Sequence, residues 1–129
     1  MQTVRGEFQV KMIPVESGSS TVGEFRLDKT YQGTLTATGQ GKMLTGMTDV
    51  KDSAAYVAIE QIDGTLDGKK GSFLICHRGF MNRGEKELQI RIVPDSGKGG
   101  LSGIHGTMGI DIRDGKHFYE LEYSLEPKP

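Results

Sequence analysis

The sequence predicts one all-β domain, an eight-stranded antiparallel closed β-barrel, and three observations predict it. Nineteen glycines are spread along 129 residues instead of forming one block, which marks short strands joined by tight turns. Between the glycines, apolar residues recur at every second position, and no stretch sustains a helical period with caps. Two dipeptides, Asp67-Gly68 and Asp114-Gly115, lie between alternating segments and suit the positive φ angles of type I′ hairpin turns. A chain of this length fits one domain and can bury a core without disulfides or metals.

The first strand is read over Thr3 to Ile13, with Val4, Phe8, Val10 and Met12 on one face and Arg5, Glu7, Gln9 and Lys11 on the other. Pro14 and Ser17 to Ser20 read as a loop. The second strand runs from Val22 to Gly33, with Phe25, Leu27 and Tyr31 sharing a face. A third, Leu35 to Leu44, is rich in Thr and Gly, and Thr45 to Ser53 reads as a polar loop. Ala54 to Leu66 and Lys69 to Gly79 flank the first Asp-Gly turn. Ala54 and Ala55 favour helix, but Tyr56, Val57, Ile59 and the turn that follows argue for strand. Glu87 to Val93 comes next, then a glycine-rich connection from Pro94 to Gly100. The last hairpin joins Gly106 to Arg113 with Lys116 to Leu125, and Glu126 to Pro129 is a polar tail. Closure of these strands into a barrel removes the edges that an open sheet would expose.

The charges balance, 16 basic against 17 acidic, and are scattered. That gives no electrostatic reason to expect nucleic acid or an anionic membrane as partner. The longest apolar runs are a few residues, too short for a membrane helix. The single cysteine, Cys76, cannot form an internal disulfide and fits a reducing compartment. Met1 to Gly6 already alternates and lacks a signal-peptide pattern, so a cytoplasmic location is expected.

The Asp-Gly turns fix register. With Asp67 and Gly68 as the loop, Leu66 opposes Lys69, Ile62 opposes Phe73, Glu60 opposes Ile75, Ala58 opposes His77 and Tyr56 opposes Gly79. This face is the more apolar and is assigned inward. It carries Glu60 and His77 as diagonal neighbours within reach of each other. A carboxyl in an apolar barrel has its pKa raised, and a nearby imidazolium pulls it back. The pair is a candidate acid–base couple. It can equally be a self-satisfied polar contact that fixes register. The opposite face carries Val57, Ile59, Leu74 and Cys76, apolar enough to predict cover by a loop or by a second copy, a homodimer or higher homo-oligomer.

In the last hairpin, Ile110 opposes Tyr119, Met108 opposes Leu121 and Gly106 opposes Tyr123, and this face must also point inward. Tyr56, Phe73, Met108, Tyr119 and Tyr123 are therefore the candidate ligand-binding residues, with plain core packing as the alternative. Arg91 shares the polar face of its strand with Glu87 and Gln89. His105 and His117 stand at strand ends, and neither makes a zinc spacing with His77. Gly39-Gln40-Gly41-Lys42 and Gly97-Lys98-Gly99-Gly100 look phosphate-friendly, but no P-loop pattern or helix follows either. No Gly-x-Ser-x-Gly elbow is present. No cofactor or metal is expected.

Three blocks carry a resemblance: Ala58 to Leu66, Gly71 to His77, and Val93 to Gly106. With Tyr31 to Leu35 and Tyr119 to Tyr123, they resemble a bacterial family of unknown function grouped with the allene oxide cyclase barrels. The resemblance implies an eight-stranded, allene oxide cyclase-like or calycin-like barrel, and it carries the family's Glu and His onto Glu60 and His77. It implies no activity. The segment Lys42 to Ser53 departs most from the pattern. Three functions follow as expectations: a barrel binding a small apolar molecule in its interior, an isomerase or cyclase using Glu60 and His77, or an interaction module whose barrel is filled. Room inside the barrel separates the third from the other two.

Overall fold

A computed structural model describes residues 1–16, 18 and 21–125. Ser17, Ser19 and Ser20 of the expected first loop, and the expected tail from Glu126, lie outside the described residues. The elements are β1 (Gln2–Val15), β2 (Val22–Gly33), β3 (Leu35–Met47), β4 (Ala54–Leu66), β5 (Lys69–Asn82), β6 (Glu85–Ile92), the two-residue β7 (Lys98–Gly99), β8 (His105–Arg113) and β9 (Lys116–Ser124). No helix occurs among the described residues.

Every pairing is antiparallel. The strands run around the barrel as β1, β2, β3, β4, β5, β6, β8 and β9, and β9 pairs back to β1 to close it. β7 adds a short rung to β5. Both Asp-Gly turns have the expected geometry: φ is 49° at Asp67 and 81° at Gly68, then 52° at Asp114 and 76° at Gly115. The registers match those derived above, with Leu66 opposite Lys69 and Arg113 opposite Lys116.

The strand ends differ from the sequence reading where pairing overrides local polarity. β3 continues through Thr45 to Met47, which the sequence reads as loop, because β4 offers partners as far as Ala54. β5 and β6 extend to Asn82 and Glu85 around Arg83 and Gly84, whose φ angles of 50° and 95° make a third two-residue turn of the same kind. Arg-Gly lacks the sequence signature of Asp-Gly, so the turn is not legible in advance.

The interior has two unlike halves. One end is packed by Leu35, Ile62, Leu66, Phe73, Ile92 and Leu121 among others. The connection between β6 and β8 folds over this end and inserts Leu101 and Ile104 as a plug, 1% and 2% exposed. It is fixed by the β7 rung and by Gly100 N–H donating to the Lys70 carbonyl at 2.7 Å. The other end, where the β3–β4, β5–β6 and β8–β9 turns lie, is open. Outside, Val57 and Ile59 are each 49% exposed; no loop among the described residues covers them, whereas the Val93–Ser96 segment lies along Leu74.

Truncating the plug checks this division. Leu101→Ala should cost about 2–5 kcal/mol, read as a lower urea midpoint at unchanged slope.

Candidate functional site

The open half encloses a cavity of about 460 Å³. All eight barrel strands contribute to its wall, almost entirely through inward positions. Met12, Leu27, Met43, Tyr56, Leu88 and Ile112 give most of it an apolar character. At its floor, where the packed half begins, stand Lys29 and His77.

Both are held by Glu60, whose side chain is 0% exposed and lies behind them. Lys29 Nζ donates to Glu60 Oε1 at 2.9 Å, and His77 Nε2 lies 3.2 Å from the same oxygen. The Tyr31 hydroxyl donates to Oε2. The carboxylate thus gathers an ammonium, an imidazole and a phenol from β2 and β5. Lys29 also lies 5.1 Å from the centroid of the Phe8 ring, within cation–π range.

The local sequence explains how one carboxylate reaches across a whole strand. Glu60 on β4 faces Gly41 on β3, and Lys29 on β2 faces Gly39. A Cβ at Gly39 would collide with Glu60 Oε2, and one at Gly41 with the Ile59 carbonyl oxygen and then Glu60 Cα. The glycines of the apparent phosphate loop therefore form a trough through which Glu60 meets Lys29 and Tyr31. A third glycine, Gly79 on β5, leaves room for the Tyr56 ring.

Electrostatics follow from this packing. Burial alone would raise the Glu60 pKa; the hydrogen bond from His77, the charge of Lys29 and the hydrogen bond from Tyr31 more than offset it, and the value falls below the ordinary 4.5. Burial, then the charge of Glu60, pushes the Tyr31 phenol far up, and the same causes raise Tyr56. An ionised carboxylate only accepts hydrogen bonds, so His77 Nε2 carries the hydrogen. Nδ1 has no hydrogen-bond partner among the described residues, and none of their fully buried side-chain nitrogen or oxygen atoms is left unpaired. The Nδ1 edge of the ring accordingly borders the cavity.

The predicted residues separate between the two halves. Glu60 and His77 meet as expected, and Tyr56 lines the cavity. Phe73, Met108, Tyr119 and Tyr123 belong to the packed half. The Tyr119 hydroxyl accepts from Leu35 N–H at 3.0 Å and donates to the Gln32 carbonyl at 2.9 Å, tying β9 to the β2–β3 turn. The Tyr123 hydroxyl donates to Gln2 Oε1 at 2.7 Å. Cys76 is exposed on the outer face. His117 stands in the cavity wall with its ring 5.2 Å from that of Phe8. Lys29 is the residue the sequence reading passed over, although Phe25, Leu27, Lys29 and Tyr31 fall in one period-two row. No group of His, Cys, Asp and Glu among the described residues could hold a metal. A larger hollow of about 620 Å³ lies on the outside of β1, β8 and β9. Its Arg5–Glu120 and Arg113–Asp111 pairs, each at 3.0 Å, are exposed to solvent, whereas Lys29 and His77 on the floor of the interior cavity are buried, so the interior cavity is the better candidate.

The model of a family described as "Protein of unknown function (DUF3224)" matches residues 4–123. The chain belongs to the DUF3224 family. A crystal structure of a DUF3224 protein of unknown function from Shewanella oneidensis MR-1 is 46% identical, superposes with a TM-score of 0.95, and is aligned over 99% of both chains. A search of curated proteins finds no match. The DUF3224 barrel is therefore a solved fold, and the cavity floor is what its chemistry must be read from.

Two measurements test the floor. Gly39→Ala should destabilise the barrel by about 1–3 kcal/mol, because the added methyl displaces the Glu60 carboxylate or the strand. Glu60 has a lowered folded pKa, so the stability it confers is complete above about 4.5 and is lost as pH falls through the folded value. Urea midpoints of the wild type should drop more steeply on acidification below 4.5 than those of Glu60→Gln; parallel curves would exclude the linkage.

Proposed function

We propose that the barrel binds a small apolar molecule in its open half, with the polar end of that molecule at Lys29 and His77. One observation carries this reading: a cavity of about 460 Å³ with apolar walls and a polar floor held in place from behind. Such a combination of apolar surface and few convergent polar groups is what small-molecule sites have. The packed half supports it too, because it fixes the strands that carry the floor. The grouping with the allene oxide cyclase barrels remains part of this reading, supported by strand number and a shaped apolar cavity.

A second reading, an isomerase, is favoured by the Glu60–His77 contact. In it the proton-transferring group is His77 through Nδ1, and Glu60, which lies behind the floor, orients the ring. Holding a substrate in a shaped cavity would supply part of the rate.

The neutral fluorophore N-phenyl-1-naphthylamine tests the binding reading. Its emission should rise on addition of the protein and saturate at one equivalent. Met43→Trp, which places an indole in the cavity wall, should abolish the saturable rise while leaving the β-sheet circular dichroism intact. An unchanged titration with this variant would show that the fluorophore binds elsewhere.

A further inference from the structure

We propose that the molecule this site takes is an amphiphilic monocarboxylic acid, its carboxylate on Lys29 beside His77 and its apolar body along the barrel wall; this rests on the binding reading above. The argument begins with what the wall lacks. Among the described residues that line the cavity, the ionisable side chains are Lys29, His77, His117 and Tyr56, and there is no Asp or Glu. The chain as a whole carries 17 acidic residues against 16 basic ones, so this bias is not inherited from composition. The carboxylate nearest the cavity, Glu60, is fully buried beneath the floor, and both of its oxygens already accept hydrogen bonds. A cationic head group would find no counter-charge on this wall.

Lys29 has donor capacity beyond what Glu60 uses. An ammonium has three N–H groups, and Glu60 Oε1 engages one of them. His77 gives its Nε2 hydrogen to the same oxygen, which turns its Nδ1 edge toward the cavity. Because Lys29 Nζ and His77 Nε2 touch one oxygen, at 2.9 and 3.2 Å, they lie within about 6 Å of each other, and the imidazole stands beside the ammonium at the floor. A carboxylate has two oxygens to offer the remaining N–H groups of Lys29. A hydroxyl has one, and it forms a weaker bond to an ammonium than an anion does. Burial adds to the preference: Lys29 is 7% exposed, so solvent screens its charge little.

The experiment is displacement of N-phenyl-1-naphthylamine at neutral pH by three ten-carbon competitors: decanoate, decan-1-ol and decylamine. Decanoate should compete at least about tenfold more tightly than decan-1-ol, the size expected of a charge-assisted contact in a buried site. Decylamine should be the weakest of the three. Lys29→Met alone would strand the Glu60 charge, so the variant is Lys29→Met with Glu60→Gln. In that double variant the affinities of decanoate and decan-1-ol should converge. If decan-1-ol matches decanoate on the wild type, or if the double variant keeps the preference, the acid assignment is wrong while cavity binding stands. If none of the three displaces the fluorophore, the assignment falls; the binding reading falls with it only if Met43→Trp also leaves the fluorophore titration unchanged.

Discussion

The architecture of the interior turns on one buried carboxylate. Glu60 is placed where no water reaches it, and an isolated charge there would be expelled or neutralised. It stays ionised because donors from β2 and β5 converge on it: Lys29, Tyr31 and His77. Their convergence requires the register of four neighbouring strands to be correct at once. It also requires that β3, which separates β2 from β4, present no side chains at positions 39 and 41. The glycines there are a condition of the electrostatics, and the electrostatics in turn penalise any slip of β3, since a shift by one residue would put Gln40 or Thr38 into the trough.

This dependence explains which parts were legible in the sequence. Asp67-Gly68 and Asp114-Gly115 fix two hairpins to the residue, because their backbone preference admits few alternatives, and with them the inward face that brings Glu60 to His77. Lys29 was not legible as a partner. It lies in the same inward row as Phe25, Leu27 and Tyr31, but a lysine in such a row reads as an interruption until the carboxylate across β3 is known. Reading an inward cation as a demand for a buried anion would have found it. The division of the barrel into halves was equally hidden. Phe73, Met108, Tyr119 and Tyr123 have the same alternation as Tyr56, and only the plug of Leu101 and Ile104, folded back from a glycine-rich connection, decides that they lie in the packed half.

The two halves divide the physical tasks. Packing at the plugged end supplies the apolar burial that stabilises the fold. Tyr119 and Tyr123 seal that end by hydrogen-bonding to the β2–β3 turn and to Gln2. At the open end β2, β3, β4 and β5 stay paired on both sides and hold Glu60, Lys29 and His77 in register, whereas β6 meets β8 only at Ile90 and Arg91, and β9 meets β1 only as far as Phe8. A floor mounted on such strands is more rigid than one mounted on loops, as a site needs.

An ion pair of this kind is a poor way to stabilise a protein. Desolvating both ions costs much of what their attraction returns, and apolar residues of similar size often serve stability better. Lys29 and Glu60 therefore call for a reason beyond folding. If the pair served only to fix register, it could be closed off from the cavity on all sides, like the Tyr119 network at the other end. Instead one member is sealed and the other borders open space. That asymmetry points one way: the anion is the anchor, and the cation beside His77 is what the cavity presents. The wall around them adds apolar surface and no acid, which is why the guest proposed above is an amphiphilic anion.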